Sequence, residues 1–137
     1  MNNPIQTAWI IDDDEIYKYG FRKYVTIKGL CSKIVDFPNG SEAINFLKDS
    51  SNIENLPDVI FLDIDMPVMN GWEFIVAFEQ IKALISKKIH IFLVTSCISY
   101  QDIVRAQNHP DITDYIIKPI DSQQFAAVFK GELIKTA

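Results

Sequence analysis

The sequence predicts an α/β fold in three layers: a parallel β-sheet with helices packed on both faces. Two patterns carry this expectation. Five short apolar runs, at residues 8–11, 34–37, 59–62, 89–94 and 115–117, alternate with longer stretches of helical spacing, which is the βαβ signature. Apart from Asp36 and His90, the runs also read as continuously apolar rather than alternating, as strands buried on both faces do. The size agrees: 137 residues, 48% hydrophobic and 23% charged, is one domain with enough apolar material for a core. Right-handed crossovers then connect each strand to the next.

The elements can be justified in order. After the first run, the stretch beyond Asp14 carries Tyr17, Phe21, Tyr24 and Val25 on one stripe, and Gly29 suits its end. The second helix opens in Asn39-Gly40-Ser41-Glu42, with Ser41 a fitting N-cap and Ala43, Ile44 and Leu47 on its apolar face. The third opens at Asn70-Gly71 and places Phe74, Ile75, Phe78, Ile81 and Ile85 at helical steps. The fourth holds only Ile103, Val104 and Ala106, a sparse stripe. The fifth opens at Asp121 or Ser122 and carries Phe125, Val128, Phe129 and Leu133.

Charge and cysteine usage exclude several function classes. A net charge of −5 offers no global basic surface, so direct DNA binding is not expected. Cys31 and Cys97 are too few for a disulfide framework and read as reduced thiols, consistent with a cytoplasmic protein. The longest conspicuous uncharged stretch, residues 89–101, is 13 residues long and contains Thr95, Ser96, Ser99 and Gln101. A membrane span needs roughly 20 mostly apolar residues, so no insertion is expected. The first apolar run is followed by Asp12-Asp13-Asp14-Glu15, unlike a secretory signal.

An open parallel sheet binds its ligand at the carboxyl ends of its strands, and those ends are chemically loaded here. Run one is followed by Asp12-Asp13-Asp14, run three by Asp63-Ile64-Asp65, run four by Thr95-Ser96 and run five by Lys118-Pro119. Gathered carboxylates repel and raise one another's pKa unless a cation intervenes. Oxygen-only ligands select a hard ion, and Mg²⁺ suits one or two carboxylates completed by waters and phosphate oxygens. No His or Cys cluster invites Zn²⁺. A divalent cation, an ammonium, a hydroxyl and a free carboxylate can together hold a phosphoryl group, with the carboxylate as nucleophile.

The pieces Trp9-Ile10-Ile11-Asp12-Asp13-Asp14, Val59 through Gly71 with Asp63-Ile64-Asp65-Met66-Pro67, Val94-Thr95-Ser96 and Tyr115-Ile116-Ile117-Lys118-Pro119 stand in order at strand ends. In this the sequence resembles the response-regulator receiver domain of two-component signalling, over nearly the whole chain. The resemblance implies a doubly wound, flavodoxin-like sheet of five parallel strands in the order 2-1-3-4-5. It implies a single receiver domain over residues 1–137, with its core at about 7–135. With 18 residues after Pro119, no output domain is expected.

The same resemblance implies the roles. Asp63, eight positions before Gly71, corresponds to the phosphoacceptor. Asp13 corresponds to the direct Mg²⁺ ligand and Asp12 to its partner, acting partly through water, while Asp14 reads as a helix start. Asp65 corresponds to the residue whose backbone carbonyl completes the metal site and whose side chain borders the entrance. Lys118 is expected to pair with Asp63 and then with a phosphoryl oxygen, and the bond to Pro119 is often cis in this family. Thr95 is expected to turn inward to the phosphoryl group, and Tyr115 to move with it as an aromatic switch. Cys97, His90 and His109 read as packing, strand and loop residues. The match departs at residues 107–114, where receivers commonly carry a Gly-Ala step.

The implied function is Mg²⁺-dependent acceptance of a phosphoryl group from a histidine kinase or a histidine phosphotransfer protein. A two-state shift of the face formed by helix four, strand five and helix five would then signal to a protein target. In this reading the chain is a phosphoacceptor that assists its own phosphorylation and dephosphorylation, rather than an enzyme acting on other substrates. Two alternatives stand beside it: a receiver-shaped binding module that is not phosphorylated, and an aspartyl-phosphate phosphatase of haloacid dehalogenase type, which Asp63-Ile64-Asp65 also resembles. That family places its motif on the first strand, with Thr or Val where Pro67 stands. A flavodoxin-like cofactor carrier is excluded, because the loop after run one is acidic rather than phosphate-binding.

Overall fold

The computed structural model describes residues 5–49 and 54–131. Five strands, β1 (Thr7–Ile11), β2 (Lys33–Phe37), β3 (Val59–Asp63), β4 (His90–Thr95) and β5 (Ile112–Ile117), form one parallel sheet in the order β2-β1-β3-β4-β5. The helices between and after them are α1 (Glu15–Lys28), α2 (Gly40–Lys48), α3 (Gly71–Ile81), α4 (Tyr100–Gln107) and α5 (Ser122–Phe129). Strand side chains alternate between faces, and here both faces are covered. Val59 and Phe61 pack with Phe21, Val25, Phe125 and Phe129 of α1 and α5. Ile60 and Leu62 pack with Ala43, Ile44, Phe74 and Ala106 of α2, α3 and α4. This two-sided burial is why residues 8–11 of β1, 59–62 of β3 and 91–94 of β4 are apolar without interruption.

Helix ends follow local hydrogen bonding. Asp14 caps α1 by accepting from the N–H groups of Ile16 and Tyr17, and Gly29 closes it at φ 61°, a conformation that suits a residue without Cβ. The cap of α2 is Asn39 rather than Ser41. Asn39 is extended and its side chain accepts from the Glu42 N–H, which leaves Ser41 inside the first turn. Asn70 and Glu73 form a capping box on α3, and Asp121 and Gln124 form another on α5, so Asp121 is the cap and Ser122 the first helical residue. Ile85 lies outside α3. The chain tightens into a 3₁₀ turn at Lys82–Leu84, and the Ile85 N–H bonds to the Lys82 carbonyl. Ser99 caps α4, of which only Ala106 is fully buried. Leu133 lies outside the described residues.

Strand β5 begins three residues before the apolar run that signals it. It is an edge strand, and its pairing with β4 slips between Ile91 and Phe92, which pair with Ile112 and Asp114. The irregularity accommodates Thr113 and lets polar residues occupy a sheet position with one side open. Among the described residues no helix is long and apolar enough to cross a membrane.

The sheet's other end is fastened by Asp58. Its Oδ2 accepts from the N–H groups of Gln6 and Thr7 at 2.8 and 2.9 Å, and its Oδ1 lies 2.9 Å from Lys87 Nζ. Burial would raise this carboxyl, but the bonds from Lys87, Thr7 and Gln6 outweigh it and hold the pKa below the ordinary carboxylate value. Asp58→Ala is therefore expected to lower stability by about 1–3 kcal/mol at pH 7, read from urea unfolding. The sign follows from the depressed pKa: the contribution is present above the unfolded value and fades as acid protonates the folded carboxyl, so the difference from wild type shrinks at low pH.

Candidate functional site

Strands β1 and β3 are neighbours, with Ile11 opposite Leu62. The residues that leave these two strands at their carboxyl ends are therefore brought side by side. Asp12 and Asp63 are buried and Asp13 is exposed. One ligand oxygen from each of the three lies within 4.8 Å of the others. Asp14 is outside this cluster and caps α1, while its N–H bonds to Asp12 Oδ1 at 2.9 Å.

Lys118 reaches the cluster from the end of β5. Its Nζ is 2.7 Å from Asp12 Oδ2 and 4.0 Å from Asp63 Oδ1. The nearer partner is Asp12 rather than Asp63: one Asp12 oxygen already accepts from the Asp14 N–H, and the other faces the ammonium. The Lys118 backbone is held by its N–H to the Thr95 carbonyl at 2.9 Å, and the Lys118–Pro119 peptide is cis.

Asp63 feels the crowd most. Burial, then the Asp12 charge, then Asp13 and Asp65 raise its carboxyl, Lys118 opposes them, and its pKa is pushed up to about 7. An acid with this surplus of negative neighbours gains from an added cation. The donor set is three carboxylates, with no His or Cys in the group, and so fits a hard divalent ion.

The loop after β3 shapes the rim. The Gly71 N–H bonds to the Ile64 carbonyl at 2.8 Å. A Cβ on Gly71 would stand 2.6 Å from the Asp63 carbonyl oxygen and 2.9 Å from Ile64 Cα, so only glycine allows this approach. Asp65 is exposed on that loop. Val68 is held at φ 68° with its side chain in solvent, a backbone conformation uncommon for a β-branched residue.

Thr95 and Tyr115, both singled out from sequence, are present on neighbouring strands. Thr95 is buried at the end of β4, but its hydroxyl donates to the Cys97 carbonyl at 3.0 Å and accepts from the Cys97 N–H at 3.3 Å. In this state it serves its own loop. Tyr115 is half-buried and packs against the core on the α2–α4 face. Cys97 is exposed.

One residue of the site was read from sequence only as core. Tyr17 lies in the first turn of α1, four residues after Asp13. Lys118 Nζ sits 4.1 Å from its ring centroid, and its hydroxyl is buried without a hydrogen-bond partner. Burial, reinforced by Asp12 and Asp63, pushes its pKa well above the ordinary tyrosine value. The signal that finds it is positional: the first turn of a helix that starts at a strand-end acid returns over that acid.

Residues 8–130 match the family described as "Response regulator receiver domain". A two-component response regulator from Cytophaga hutchinsonii superposes with a TM-score of 0.84 at 25% identity, covering 95% of this chain and 97% of that one. Part of the sensor histidine kinase CheAY of Helicobacter pylori is 32% identical over 123 residues, 90% of this chain and 14% of the relative's length. A hybrid signal transduction histidine kinase of Dictyostelium discoideum is matched over only 7% of its length, so the chain corresponds to a small part of these larger relatives. The chemotaxis protein CheY of Bacillus subtilis is 25% identical over 84% of this chain and 88% of its own length. Fold, strand order and family match agree: the chain belongs to the response-regulator receiver-domain family.

Proposed function

We propose that this receiver accepts a phosphoryl group on Asp63 from the phosphohistidine of a histidine kinase or a histidine phosphotransfer protein. The observation that carries the reading is the position of Asp63: the terminal residue of a central strand, flanked by Asp12 and Asp13, with an ammonium 4.0 Å away. In the transfer an Asp63 carboxylate oxygen forms a bond to phosphorus as the P–N bond to imidazole breaks. The imidazole leaves with the bonding electrons and takes its proton from solvent.

Mg²⁺ held by Asp12, Asp13 and Asp63, with the Asp65 backbone carbonyl, would supply positive charge to the transferring group. The chain's own residues do the rest. Lys118 moves from Asp12 towards a phosphoryl oxygen and neutralises developing charge. Thr95 exchanges its bond to the Cys97 carbonyl for one to the phosphoryl group, and Tyr115 turns into the space released. The added charge and acceptor oxygens bias two arrangements of the α4–β5–α5 face, through which a protein target reads the state.

The test is incubation with acetyl phosphate or phosphoramidate, with and without Mg²⁺, followed by intact-mass analysis. One phosphoryl group should be added, faster with Mg²⁺. No addition from any donor would leave a receiver-shaped binding module instead, and steady turnover of small phosphoesters would favour a phosphatase. The metal assignment has its own measurement. Saturating Mg²⁺ at pH 8 should stabilise the protein against heat by about 2 kcal/mol. Asp13→Ala should remove most of that gain, and an undiminished gain in the variant would refute its role.

A further inference from the structure

We propose that Tyr17 is a positioning residue for Lys118, its ring face holding the ammonium in the slot between Asp12 and Asp63. Three groups surround that ammonium: Asp12 Oδ2 at 2.7 Å, Asp63 Oδ1 at 4.0 Å and the Tyr17 centroid at 4.1 Å. An ammonium carries three donors and no acceptor: one donates to Asp12, while Asp63 acts on it through charge at 4.0 Å and the ring through its π-face. The Lys118 side chain is only 17% exposed. Lysine's flexible four-carbon stem would otherwise let the charge wander into solvent, and a ring face attracts it most strongly where water is excluded.

The ring is placed by the same loop that places the acids. The Tyr17 N–H donates to Asp14 Oδ1 at 3.0 Å, and the Asp14 N–H in turn donates to Asp12 Oδ1 at 2.9 Å. The ring also neighbours Phe21, with centroids 6.2 Å apart and the planes tilted by 55°. Carboxylate, cap and the backbone that carries the ring therefore belong to one hydrogen-bonded turn, facing a lysine whose backbone N–H bonds to the Thr95 carbonyl. The buried hydroxyl makes no hydrogen bond, so the role belongs to the face of the ring. Phenylalanine should fill it and leucine should not. The catalytic consequence rests on the proposed phosphoryl transfer: a pre-aligned ammonium has only a short path along the ring to an oxygen arriving at Asp63.

Two measurements test this independently. In the NMR spectrum of the unphosphorylated protein, the Lys118 ε-methylene protons should be shifted upfield by the Tyr17 ring current. The shift should persist in Tyr17→Phe and vanish in Tyr17→Leu; its absence in the wild type overturns the proposal without any variant being made. In phosphoramidate labelling, Tyr17→Leu should be slower by about tenfold and Tyr17→Phe should stay near the wild-type rate. In a Lys118→Ala background Tyr17→Leu should have no further effect, since its action runs through that lysine. Equal slowing in both backgrounds overturns the proposal. Failure of the wild type to label, with the ring-current shift intact, counts against the phosphoacceptor reading and not against this one.

Discussion

Asp63→Asn is expected to abolish phosphoryl incorporation and, in the same protein, to raise stability in the absence of metal at pH 8. The first effect follows from the loss of the carboxylate proposed as the nucleophile at the end of β3, and intact-mass analysis reads it. Persistence of label would place the acceptor elsewhere. The second follows from electrostatics. The Asp63 carboxyl has a folded pKa of about 7, raised from 3.8 by burial and by its acidic neighbours. A raised acid pKa means that the folded state holds the proton more tightly than the unfolded chain, so stability falls as pH climbs from the ordinary value through 7. At pH 8 the full penalty is present, and removing the charge with a side chain of the same shape should return about 2–4 kcal/mol. Near pH 4 the two proteins should converge. Unfolding in EDTA at both pH values measures this, and equal stability at pH 8 would refute the crowding of charge at the site.

Most of the scaffold was readable because its strands are buried on both faces. Residues 8–11, 59–62 and 91–94 are apolar without a break since helices cover each side, and the strand-end rule then led directly to Asp12, Asp13, Asp63, Thr95 and Lys118. The order of the strands came from the family resemblance, because no periodicity encodes which strand lies beside which. The start of β5 was hidden because an edge strand tolerates Thr113 and Asp114, with the pairing slipping at Thr113 while Asp114 pairs with Phe92. The cap of α2 went to Asn39 because an Asn-Gly-Ser run offers two capping oxygens, and backbone conformation chooses between them. Tyr17 was hidden for a different reason. An aromatic at helical spacing with Phe21 reads as core, and this one packs on Phe21 while also meeting Lys118. Thr95 shows a third kind of concealment: its hydroxyl has a local partner, Cys97, in the state seen, and composition says nothing about which partner a hydroxyl holds before its ligand comes.

Lys118→Ala should act on labelling in the same direction as Asp63→Asn and on stability in the opposite one. Loss of a preorganised donor to the transferring group is expected to slow labelling by about 10²-fold. Asp12 is buried, with an exposure of 2%, and Lys118 is its ion-pair partner at 2.7 Å. Removing one member of a buried pair leaves an uncompensated charge. Because the lysine itself is partly exposed, the loss in EDTA at pH 8 should be about 2 kcal/mol, below the range for a fully buried pair. Lys118 is also the group that restrains the Asp63 pKa, so its removal strengthens the pull of the folded state on a proton. The variant should therefore recover stability as pH falls from 8 to 5 more steeply than wild type. Adding Asp63→Asn to Lys118→Ala should recover more stability at pH 8 than Asp63→Asn yields alone, since the two residues share one electrostatic network and their effects should not add. Simple additivity in a double-mutant cycle of urea unfolding would mean that the ammonium and the acceptor do not feel each other, and the site as drawn here would fail with it.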